Sequence, residues 1–557
     1  MSNISVTDWG RYFPFDKIRP EQEKAIDFIL NAFINNQKQF CLMEMAVGTG
    51  KSATGITVAR YIAANPHLLT PTVDNSGAYV LTTQKILQEQ YVNDFGPKKR
   101  NLLRSIKSSS NYVCQYYSDQ NCGESRRILN KLRSQLQGTD FFKRCISNCQ
   151  YVIDKQAFIN SPMSITNFSY FLAETKYAGK LEPRQLLIVD ECHNISNEIS
   201  KFIEISYSEK FAKDVLKCKI PVLKGDDESR MTQVFEWVVK TYQPKLTKHL
   251  QGLEKALLSN VNTADLVSFS QFSKQYETLD KHVCKVNRFI SSFIPDNWVM
   301  NTVEPPINSR SAKRFEFKPI DVSSFTHDTL FRFGSRVLMM SATVVDKEVF
   351  CRTVGLDEAQ VAFLSIPSPF PVQNRLIHYL PVGKMSLNNI SNTLPKMAES
   401  VKFILNEHAK DKGVIHSVNF KIAQYLFEHV KSDRLLIHNS NNREEVLNEH
   451  INNKKPTVLL SPSMMEGVDL VGDVSRFQIL CKIPFPYLGD KVVKKRKARD
   501  SMWYPFQTVK SVIQSMGRSI RNDTDYAVSY ILDEDWAYFF KQNRSMFSDD
   551  FVKLLAA

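Results

Sequence analysis

The stretch Glu44-Met45-Ala46-Val47-Gly48-Thr49-Gly50-Lys51-Ser52 joins an apolar run, Gln39 to Met45, to a run with helical spacing, Lys51 to Ala63. We predict a buried strand, a glycine loop and a helix, in that order. Backbone N–H groups of such a loop can surround a phosphate, and the helix N-terminus adds a favourable dipole. Lys51 would then meet the β- and γ-phosphates of a nucleotide, and the Ser52 hydroxyl would bind Mg²⁺. The alternative is a glycine-rich turn without a ligand, but the position between strand and helix favours a phosphate loop.

Strands and helices alternate on both sides of this loop. Further buried strands of the first unit are predicted at Ala78–Thr82, Leu186–Val189 and Arg336–Met340. A second unit of the same kind begins near residue 346, with strands predicted at Gly413–His416, Val458–Leu460, Phe477–Leu480 and Tyr526–Leu532. This alternation is typical of parallel sheets covered by helices. The sequence therefore predicts an α/β fold with two parallel-sheet domains and a cleft between them.

Two segments interrupt the first unit. Residues 104–151 are polar and basic and carry four cysteines, whereas residues 201–317 contain only Gly225 and Gly252 as glycines and have helical periodicity. We therefore predict a discontinuous first domain (1–103, 152–200 and 318–345), a cysteine-bearing insertion (104–151), a helical insertion (201–317) and a second domain (346–557).

A pair of carboxylates follows the strand predicted at Leu186–Val189. Asp190 and Glu191 come directly after its last residue. A carboxylate at the end of a buried strand can hold Mg²⁺, and the next one can polarise an attacking water. Asp-Glu pairs are common on protein surfaces, but this pair lies downstream of a phosphate loop. We therefore predict a site for nucleoside triphosphate hydrolysis in which Asp190 holds the metal ion and Glu191 activates water.

Gln22 lies just before the first helix, in the sequence Arg19-Pro20-Glu21-Gln22. Its side-chain amide could contact the edge of an adenine base. The same four residues are also typical of a helix start, with proline in the first turn. Both interpretations stay open.

Gln514, Arg518 and Arg521 belong to the stretch Gln514-Ser515-Met516-Gly517-Arg518-Ser519-Ile520-Arg521 in the second unit. Two arginines three residues apart share one face of a helix, and an arginine supplied by a second domain can stabilise charge that develops on a γ-phosphate. The alternative is a solvated basic face. The upstream phosphate loop favours a catalytic role.

The hydrophobic content and the net charge of the chain exclude several classes of protein and favour one kind of binding partner. The chain has 557 residues, 43% hydrophobic residues and a net charge of +14. These values exclude a disordered chain, a disulfide-rich miniprotein and a collagen-like fibre. The positive charge favours an anionic partner, usually nucleic acid. Since the sequence shows neither a long apolar run nor a secretory signal, we expect no membrane contact and an intracellular protein.

Four cysteines lie close together in the first insertion. Cys114, Cys122, Cys145 and Cys149 are separated by 7, 22 and 3 residues. Four thiolates with uneven spacing can bind an iron–sulfur cluster or one zinc ion. The paired Cys-x-x-Cys halves of a zinc ribbon are not present. The spacing by itself leaves both metals open.

Several of these motifs together resemble a known family, the iron–sulfur superfamily 2 DNA helicases of the XPD/DinG group. The resemblance covers nearly the whole chain in motif order and is carried by the phosphate loop, Asp190-Glu191-Cys192-His193, Ser341-Ala342-Thr343, Glu466-Gly467-Val468-Asp469 and Gln514 to Arg521. It departs from the family at Ala46-Val47, where members often have Pro-Thr, and at Cys192, where they usually have alanine.

The resemblance implies a specific architecture and a set of ligands. It implies two RecA-like motor domains with ATP and Mg²⁺ between them, and an Fe–S domain and a helical arch inserted in the first. The sequence Asn111-Tyr112-Val113-Cys114 and the closing Cys149-Gln150-Tyr151 are similar to the family's cluster domain. A 4Fe–4S cluster is then expected on the four cysteines, with zinc as the alternative occupant. By the same analogy Asp469, Gly467, Ser341 and Thr343 couple the nucleotide state to the grip on DNA.

The expected activity is that of an ATP-dependent 5′→3′ DNA helicase that moves on single-stranded DNA and opens forked duplexes as a monomer. One alternative is a DNA-stimulated ATPase that remodels protein–DNA complexes without separating strands. Another is a cluster-bearing module that senses nucleic acid. We expect a cytoplasmic location in a prokaryote or virus and a nuclear one in a eukaryote. Basic residues that could contact DNA lie in two groups: Lys98, Lys99, Arg100, Arg104, Arg126 and Arg127, and Lys491, Lys494, Lys495, Arg496, Lys497 and Arg499.

Overall fold

A computed structural model gives the structure of the chain. It describes residues 8–69, 75–83, 85–115, 121–123, 129, 134, 137–147, 149–175, 181–259, 266–305, 312–439, 441–462, 470, 472–516, 520 and 524–555. Among these residues, no helix combines the length and the apolar composition needed to cross a bilayer.

The first domain is built on a seven-stranded sheet in which every pairing is parallel. In chain order its strands are β1 (Phe40–Met45), β2 (Ala78–Thr82), β3 (Arg104–Ser105), β4 (Met163–Asn167), β5 (Arg184–Asp190), β9 (Gly334–Ser341) and β10 (Val361–Ile366). The spatial order is β10-β1-β9-β5-β2-β4-β3, so the phosphate-loop strand β1 lies beside β9 and one strand away from β5. Strands buried on both faces by helices read as continuous apolar runs, which is why β1, β2 and β5 were visible in the sequence.

Helices cover both faces of this sheet. They are α1 (Pro20–Leu30), α2 (Lys51–Ala64), α3 (Lys85–Phe95), α5 (Gln150–Asn160), α6 (Phe168–Ala173) and α7 (Ile195–Ile203). The helix α4 (Asp140–Ser147) belongs to the cysteine-bearing insertion and packs on α5. Buried side chains of α1 and α2 form one hydrophobic core with β1, β2, β5 and β9, and those of α6 and α7 form another on the opposite face.

The second domain contains a six-stranded sheet that is also parallel throughout. Its strands, in spatial order, are β11 (Ile377–Gly383), β16 (Val528–Asp533), β15 (Phe477–Leu480), β12 (Gly413–His416), β14 (Val458–Ser461) and β13 (Leu435–Ile437). Its helices are α14 (Ile390–Glu407), α15 (Phe420–Val430), α16 (Arg443–Asn452), α17 (Lys491–Arg499), α18 (Trp503–Met516), α19 (Asp535–Gln542) and α20 (Asp549–Lys553). The predicted fold class, an α/β chain with two parallel-sheet domains, is confirmed.

The helical insertion also contains a small antiparallel sheet that the sequence did not indicate. The strands β6 (Ile205–Ser208), β7 (Trp298–Val303) and β8 (Arg314–Pro319) pair in the order β6-β8-β7. Its helices are α8 (Glu209–Asp214), α9 (Asp227–Trp237), α10 (Gln243–Ser259) and α11 (Leu266–Ser292). Tyr207, Phe289 and Phe317 are fully buried between the sheet and the helices, so the insertion has an aromatic core of its own.

Two of the predicted domain boundaries need correction. Val361–Ile366 pairs in parallel with β1, from Val361 beside Phe40 to Ile366 beside Met45. The first domain therefore extends at least to residue 366, and not to 345. Arg104–Ser105, assigned to the cysteine-bearing insertion, pairs with β4 as the last strand of the first sheet. Both strands lie at sheet edges, where short mixed sequences give little periodic signal. The remaining helices of this region, α12 (Ser323–Thr329) and α13 (Lys347–Val354), pack on each other beside α7.

Candidate functional site

The phosphate loop has the predicted form: β1 ends at Met45 and α2 begins at Lys51. Gly48 and Gly50 have φ values of 83° and 86°, which only glycine adopts without strain. The buried Thr49 hydroxyl donates to the Ala46 carbonyl at 2.7 Å, closing the turn. The Lys51 ammonium lies 3.3 Å from the Met45 carbonyl oxygen, back across the loop. The two glycine conformations and these contacts give the loop the form predicted for a phosphate site.

The predicted carboxylates lie at the carboxyl end of β5. Asp190 is its last residue and is 4% exposed. Burial raises the pKa of Asp190 to about 6, the nearby charge of Glu191 acts in the same direction, and Lys51 opposes both. Glu191 has a φ of 52° and is more open. This backbone conformation carries strain for a residue with a side chain, and it lies at the turn that directly follows the strand.

Tyr91, which sequence reasoning missed, joins the loop to the carboxylates. Its hydroxyl donates to Asp190 Oδ2 at 3.0 Å and also contacts the side chain of Ser52. Burial raises the pKa of Tyr91 well above its usual value, so it stays a neutral donor. The predicted metal ligands Ser52 and Asp190 therefore meet around one hydroxyl group. One hydroxyl and one carboxylate suit Mg²⁺, because nucleotide phosphates and water complete its shell.

Replacing Tyr91 with phenylalanine is expected to lower ATP hydrolysis about 10- to 100-fold and to raise the Mg²⁺ concentration needed for half-maximal rate, because Asp190 loses a donor worth about 1.5–3 kcal/mol. Steady-state hydrolysis over a Mg²⁺ titration measures both. Tyr79→Phe is the matched control, since it removes a tyrosine hydroxyl that donates to the Glu182 carbonyl at 3.0 Å, away from the site. Equal Mg²⁺ curves for the two variants would contradict the role of Tyr91.

His193 connects the two domains beside Glu191. Its Nε2 lies 2.8 Å from the Gln514 side-chain nitrogen, and its Nδ1 lies 2.8 Å from Ser341 Oγ and 3.2 Å from Glu191 Oε2. Because Nε2 accepts from an amide N–H, Nδ1 carries the proton and donates toward Ser341 and Glu191. Gln514 also donates to Thr343 Oγ1 at 3.4 Å. Gln514 of the second domain thus reaches the carboxylate pair through one imidazole.

Glu44 is the first residue of the loop sequence Glu44 to Ser52, but the sequence predicted no role for it. Its Oε1 accepts the backbone N–H groups of Val344 and Val345 at 2.8 and 2.9 Å, and its Oε2 accepts from Ser365 Oγ at 2.8 Å. Val345 has a φ of 68°, which is costly for a β-branched residue. Glu44 therefore holds the turn after Ser341-Ala342-Thr343 in a strained conformation, close to the phosphate loop.

Gln22 is buried between the helix start and the phosphate loop. Its side-chain oxygen accepts the Arg19 N–H at 3.0 Å, and Pro20 is the first residue of α1, so the helix-start interpretation is confirmed. Its side-chain nitrogen lies 3.5 Å from the Gly50 carbonyl oxygen. A side chain at Gly50 would collide with this amide. The contact with adenine stays a prediction.

Several predicted residues lie outside the described part of the chain. They are Arg518 and Arg521 of the downstream stretch, Gly467 and Asp469, and the basic residues Arg126 and Arg127.

A cavity of about 670 Å³ lies between the two domains. Glu191, His193 and Gln514 line its polar side, and Phe370 and Phe551 belong to its apolar side. The carboxylate predicted to activate water therefore borders the space between the two domains.

The structure describes all four cysteines of the first insertion and brings two of them into contact. Cys114, Cys122 and Cys145 are buried and Cys149 is half-buried. The sulfurs of Cys122 and Cys149 lie 3.0 Å apart. Within the described ranges, no group of three or more Cys, His, Asp or Glu side chains surrounds a metal position. The four cysteines suit a metal bound by thiolates, because their thiols are buried or half-buried. Binding one metal group with all four would require the sulfurs to rearrange.

The second basic run forms α17, and the fold uses part of it for contacts within the protein. Arg496 donates to Ser196 Oγ of α7 at 3.0 Å, and Arg499 donates to the Asp296 carbonyl of the helical insertion. Lys491 pairs with Asp227 at 2.8 Å. For these three residues the structure shows protein partners, whereas the sequence predicted phosphate contacts.

Two family models match the chain. Residues 16–220 match the model described as type III restriction enzyme, res subunit, and residues 407–551 match the helicase C-terminal domain. The two matches fall on the two parallel-sheet domains. The first contains the phosphate loop and the carboxylates, and the second contains Gln514.

Among curated proteins, ATP-dependent DNA helicase YoaA of Haemophilus influenzae is 21% identical over 435 residues, which cover 70% of this chain and 66% of YoaA. ATP-dependent DNA helicase DinG of Photobacterium profundum is 27% identical over 245 residues, covering 39% of this chain and 34% of DinG. The matches thus span less than two thirds of the length of either relative.

Solved structures share the fold over nearly the whole chain. An XPD helicase superposes with a TM-score of 0.59 at 16% identity, covering 96% of this chain and 98% of that one. The Xpd4 protein of S. tokodaii superposes with a TM-score of 0.54 at 14% identity, covering 95% and 98%. Two RecA-like parallel-sheet domains with insertions in the first are therefore the architecture of this chain.

Proposed function

We propose that the chain is an XPD/DinG-type member of superfamily 2 and an ATP-dependent DNA helicase that moves 5′→3′ along single-stranded DNA and unwinds duplex DNA, a proposal that its similarity to helicase models, DNA helicases and XPD structures supports. The observation that carries the proposal is the contact between His193 and Gln514, 2.8 Å across the domain boundary and next to Glu191. A motor needs hydrolysis in one domain to depend on the position of the other, and this contact supplies such a link.

ATP and Mg²⁺ fit the residues of the first domain. The phosphate loop and Lys51 hold the phosphates, and Ser52 and Asp190 take Mg²⁺, which neutralises phosphate charge. Glu191 accepts the proton of the attacking water. Its backbone conformation and its neighbour His193 orient the carboxylate toward the cavity between the domains.

The second domain completes the site when it closes on the first. Gln514 contacts His193 and Thr343 of the first domain. Arg518 and Arg521 follow Gln514 in the chain and stabilise the charge that develops on the γ-phosphate. Ser341 and Thr343 transmit this domain closure to the first domain. Gly467 and Asp469 transmit it to the DNA-binding groups of the second domain. Closure on ATP and opening after hydrolysis then advance the strand.

The cysteine-bearing insertion holds a 4Fe–4S cluster through Cys114, Cys122, Cys145 and Cys149, in preference to zinc. When bound, the cluster would cross-link the segments that carry the four cysteines and would make the insertion more rigid. Tyr151, two residues after Cys149, attaches it to the first domain: its hydroxyl lies 3.0 Å from that of Tyr170 on α6. A rigid body fixed in this way beside the sheet can act as a wedge at a fork.

The DNA partners are single-stranded and forked duplex DNA, bound through the excess positive charge of the chain. One cycle must supply a few kcal/mol, because DNA stacking is worth about 1.4 kcal/mol per base-pair step. Because Gln514 and Glu191 meet within one chain, a monomer contains every part of the proposed motor.

Strand displacement tests the proposal. With ATP and Mg²⁺, the anaerobically purified protein is expected to unwind a duplex with a 5′ single-stranded tail and not one with a 3′ tail. Lys51→Ala should abolish unwinding of the 5′-tailed duplex, because the lysine that meets the β- and γ-phosphates is lost.

Three other results of these assays would contradict the proposed polarity or favour another function. Unwinding from the 3′ tail alone would contradict the polarity. DNA-stimulated hydrolysis without strand separation would favour a translocase that remodels protein–DNA complexes. Slow hydrolysis that DNA does not stimulate would favour a sensing module.

A further inference from the structure

We propose that the turn Tyr487–Asp490 and the outer face of α17 form a contact surface for single-stranded DNA, in which a base stacks on Tyr487 and phosphates lie against Lys494 and Lys495. The inference rests on the proposed function and adds to it a binding surface that the family motifs do not cover. We call this surface the tyrosine–lysine ridge.

Tyr487 is placed as a stacking residue. It is 79% exposed, whereas most large aromatic side chains of the described residues are buried. A side chain at Gly489 would collide with the Tyr487 ring, so the ring lies directly over the Gly489 backbone. The Asp490 N–H donates to the Tyr487 carbonyl at 3.1 Å and closes the turn. The turn therefore holds the ring against the backbone and leaves most of its surface open to a ligand.

The segment that carries Tyr487 is rigidly attached to the second domain. The Phe485 and Tyr504 rings stack at an interplanar angle of 7°, and the Tyr504 hydroxyl donates to the Pro486 carbonyl at 3.1 Å. The Ile483 N–H donates to the buried Asp533 carboxylate at 2.9 Å. A ring on such a support loses little conformational entropy when a base binds, which favours affinity.

The outer face of α17 supplies the charge. The inner face is anchored by Arg496 and Arg499, as described above, and the Lys497 ammonium lies 4.7 Å from the centre of the Tyr504 ring. Lys494 and Lys495 are exposed, and their ammonium groups form no ion pair with any carboxylate of the described residues. The arginine contacts thus fix the helix on the protein, and Lys494 and Lys495 present uncompensated charge to the solvent.

The geometry matches a single strand. Ends of a tight turn lie within about 7 Å, and residues four apart on a helix lie about 6 Å apart. The backbone positions of Tyr487, Asp490 and Lys494 are therefore spaced on the scale of neighbouring nucleotides. Only an unpaired base offers its face for stacking, whereas duplex DNA offers phosphates alone. An exposed aromatic ring next to free cations therefore fits single-stranded DNA.

The test compares affinities for a fluorescent oligothymidylate at several salt concentrations. Tyr487→Ala is expected to weaken binding about 5- to 100-fold, because stacking is worth about 1–3 kcal/mol per base. Tyr487→Phe keeps the ring and should bind like the unmodified protein. The double change Lys494→Gln with Lys495→Gln should reduce the salt slope by about 1.4, since each phosphate contact contributes about 0.7.

Tyr538→Ala is the matched control, because Tyr538 is 73% exposed in the same domain but lies on α19. It should leave affinity unchanged, and equal melting temperatures would show that all variants are folded. If Tyr487→Ala binds as tightly as Tyr538→Ala while the unmodified protein binds DNA, the ridge is refuted and the proposed helicase function stands. If the unmodified protein does not bind single-stranded DNA, both are refuted.

Discussion

Replacing Glu191 with glutamine is expected to lower DNA-stimulated ATP hydrolysis about 10²- to 10⁴-fold, the range that a positioned general base contributes. Glutamine has nearly the same shape but cannot accept the proton of the attacking water. ATP binding should persist, because the phosphate loop and Asp190 are untouched. A phosphate-release assay and a nucleotide-binding titration measure the two quantities separately.

The matched control for this variant is Glu198→Gln. Glu198 lies on α7, in the segment that follows the carboxylate pair, and its carboxylate pairs with Lys201 at 2.8 Å. It should hydrolyse ATP at the unmodified rate. Hydrolysis by Glu191→Gln at a similar rate would mean that another group activates the water, and the strained backbone at Glu191 would need another explanation.

Replacing Cys122 with serine is expected to remove most of the bound iron, from about four atoms per chain to less than about one, because a 4Fe–4S cluster needs all four thiolates. Unwinding of a 5′-tailed duplex should be lost with it. Hydrolysis of ATP without DNA should continue, because the phosphate loop and the carboxylates are built on other strands. Iron and zinc analysis of anaerobically purified protein, together with both assays, tests these statements.

Cys284→Ser is the control, since Cys284 is exposed and lies in the helical insertion. It should keep its metal and its unwinding activity. One zinc ion per chain in the unmodified protein, with no iron, would assign zinc to the four cysteines. Full iron content in Cys122→Ser would remove this residue from the ligand set.

The strand and the helix on either side of the phosphate loop could be predicted because each is defined by a short stretch of sequence. The strand ending at Met45 and the helix beginning at Lys51 have their predicted bounds, since a buried parallel strand and a glycine loop leave a direct trace in the sequence. The strand Val361–Ile366 could not be assigned, because an edge strand is recognised by its partner, and Phe40–Met45 lies more than 300 residues earlier.

The same distinction applies to the site. Lys51, Ser52, Asp190 and Glu191 follow from short motifs. The contact between His193 and Gln514 joins residues 321 positions apart, so only the packing of the two domains reveals it. Arg496 shows the converse: a basic run predicts contact with phosphates, but the helix turns this residue toward Ser196 in the first domain.

The strand β10, the last of the first sheet in chain order, also bears on how the two domains are connected. The chain leaves the first domain at Ile366, whose carbonyl accepts the Ala46 N–H of the phosphate loop at 3.4 Å, and Ser365 is bonded to Glu44. The connection between the two domains therefore begins directly beside the phosphate loop. In the proposed motor, a change at this loop would act close to the connection, and the far side of the second domain would move further than the part beside the loop.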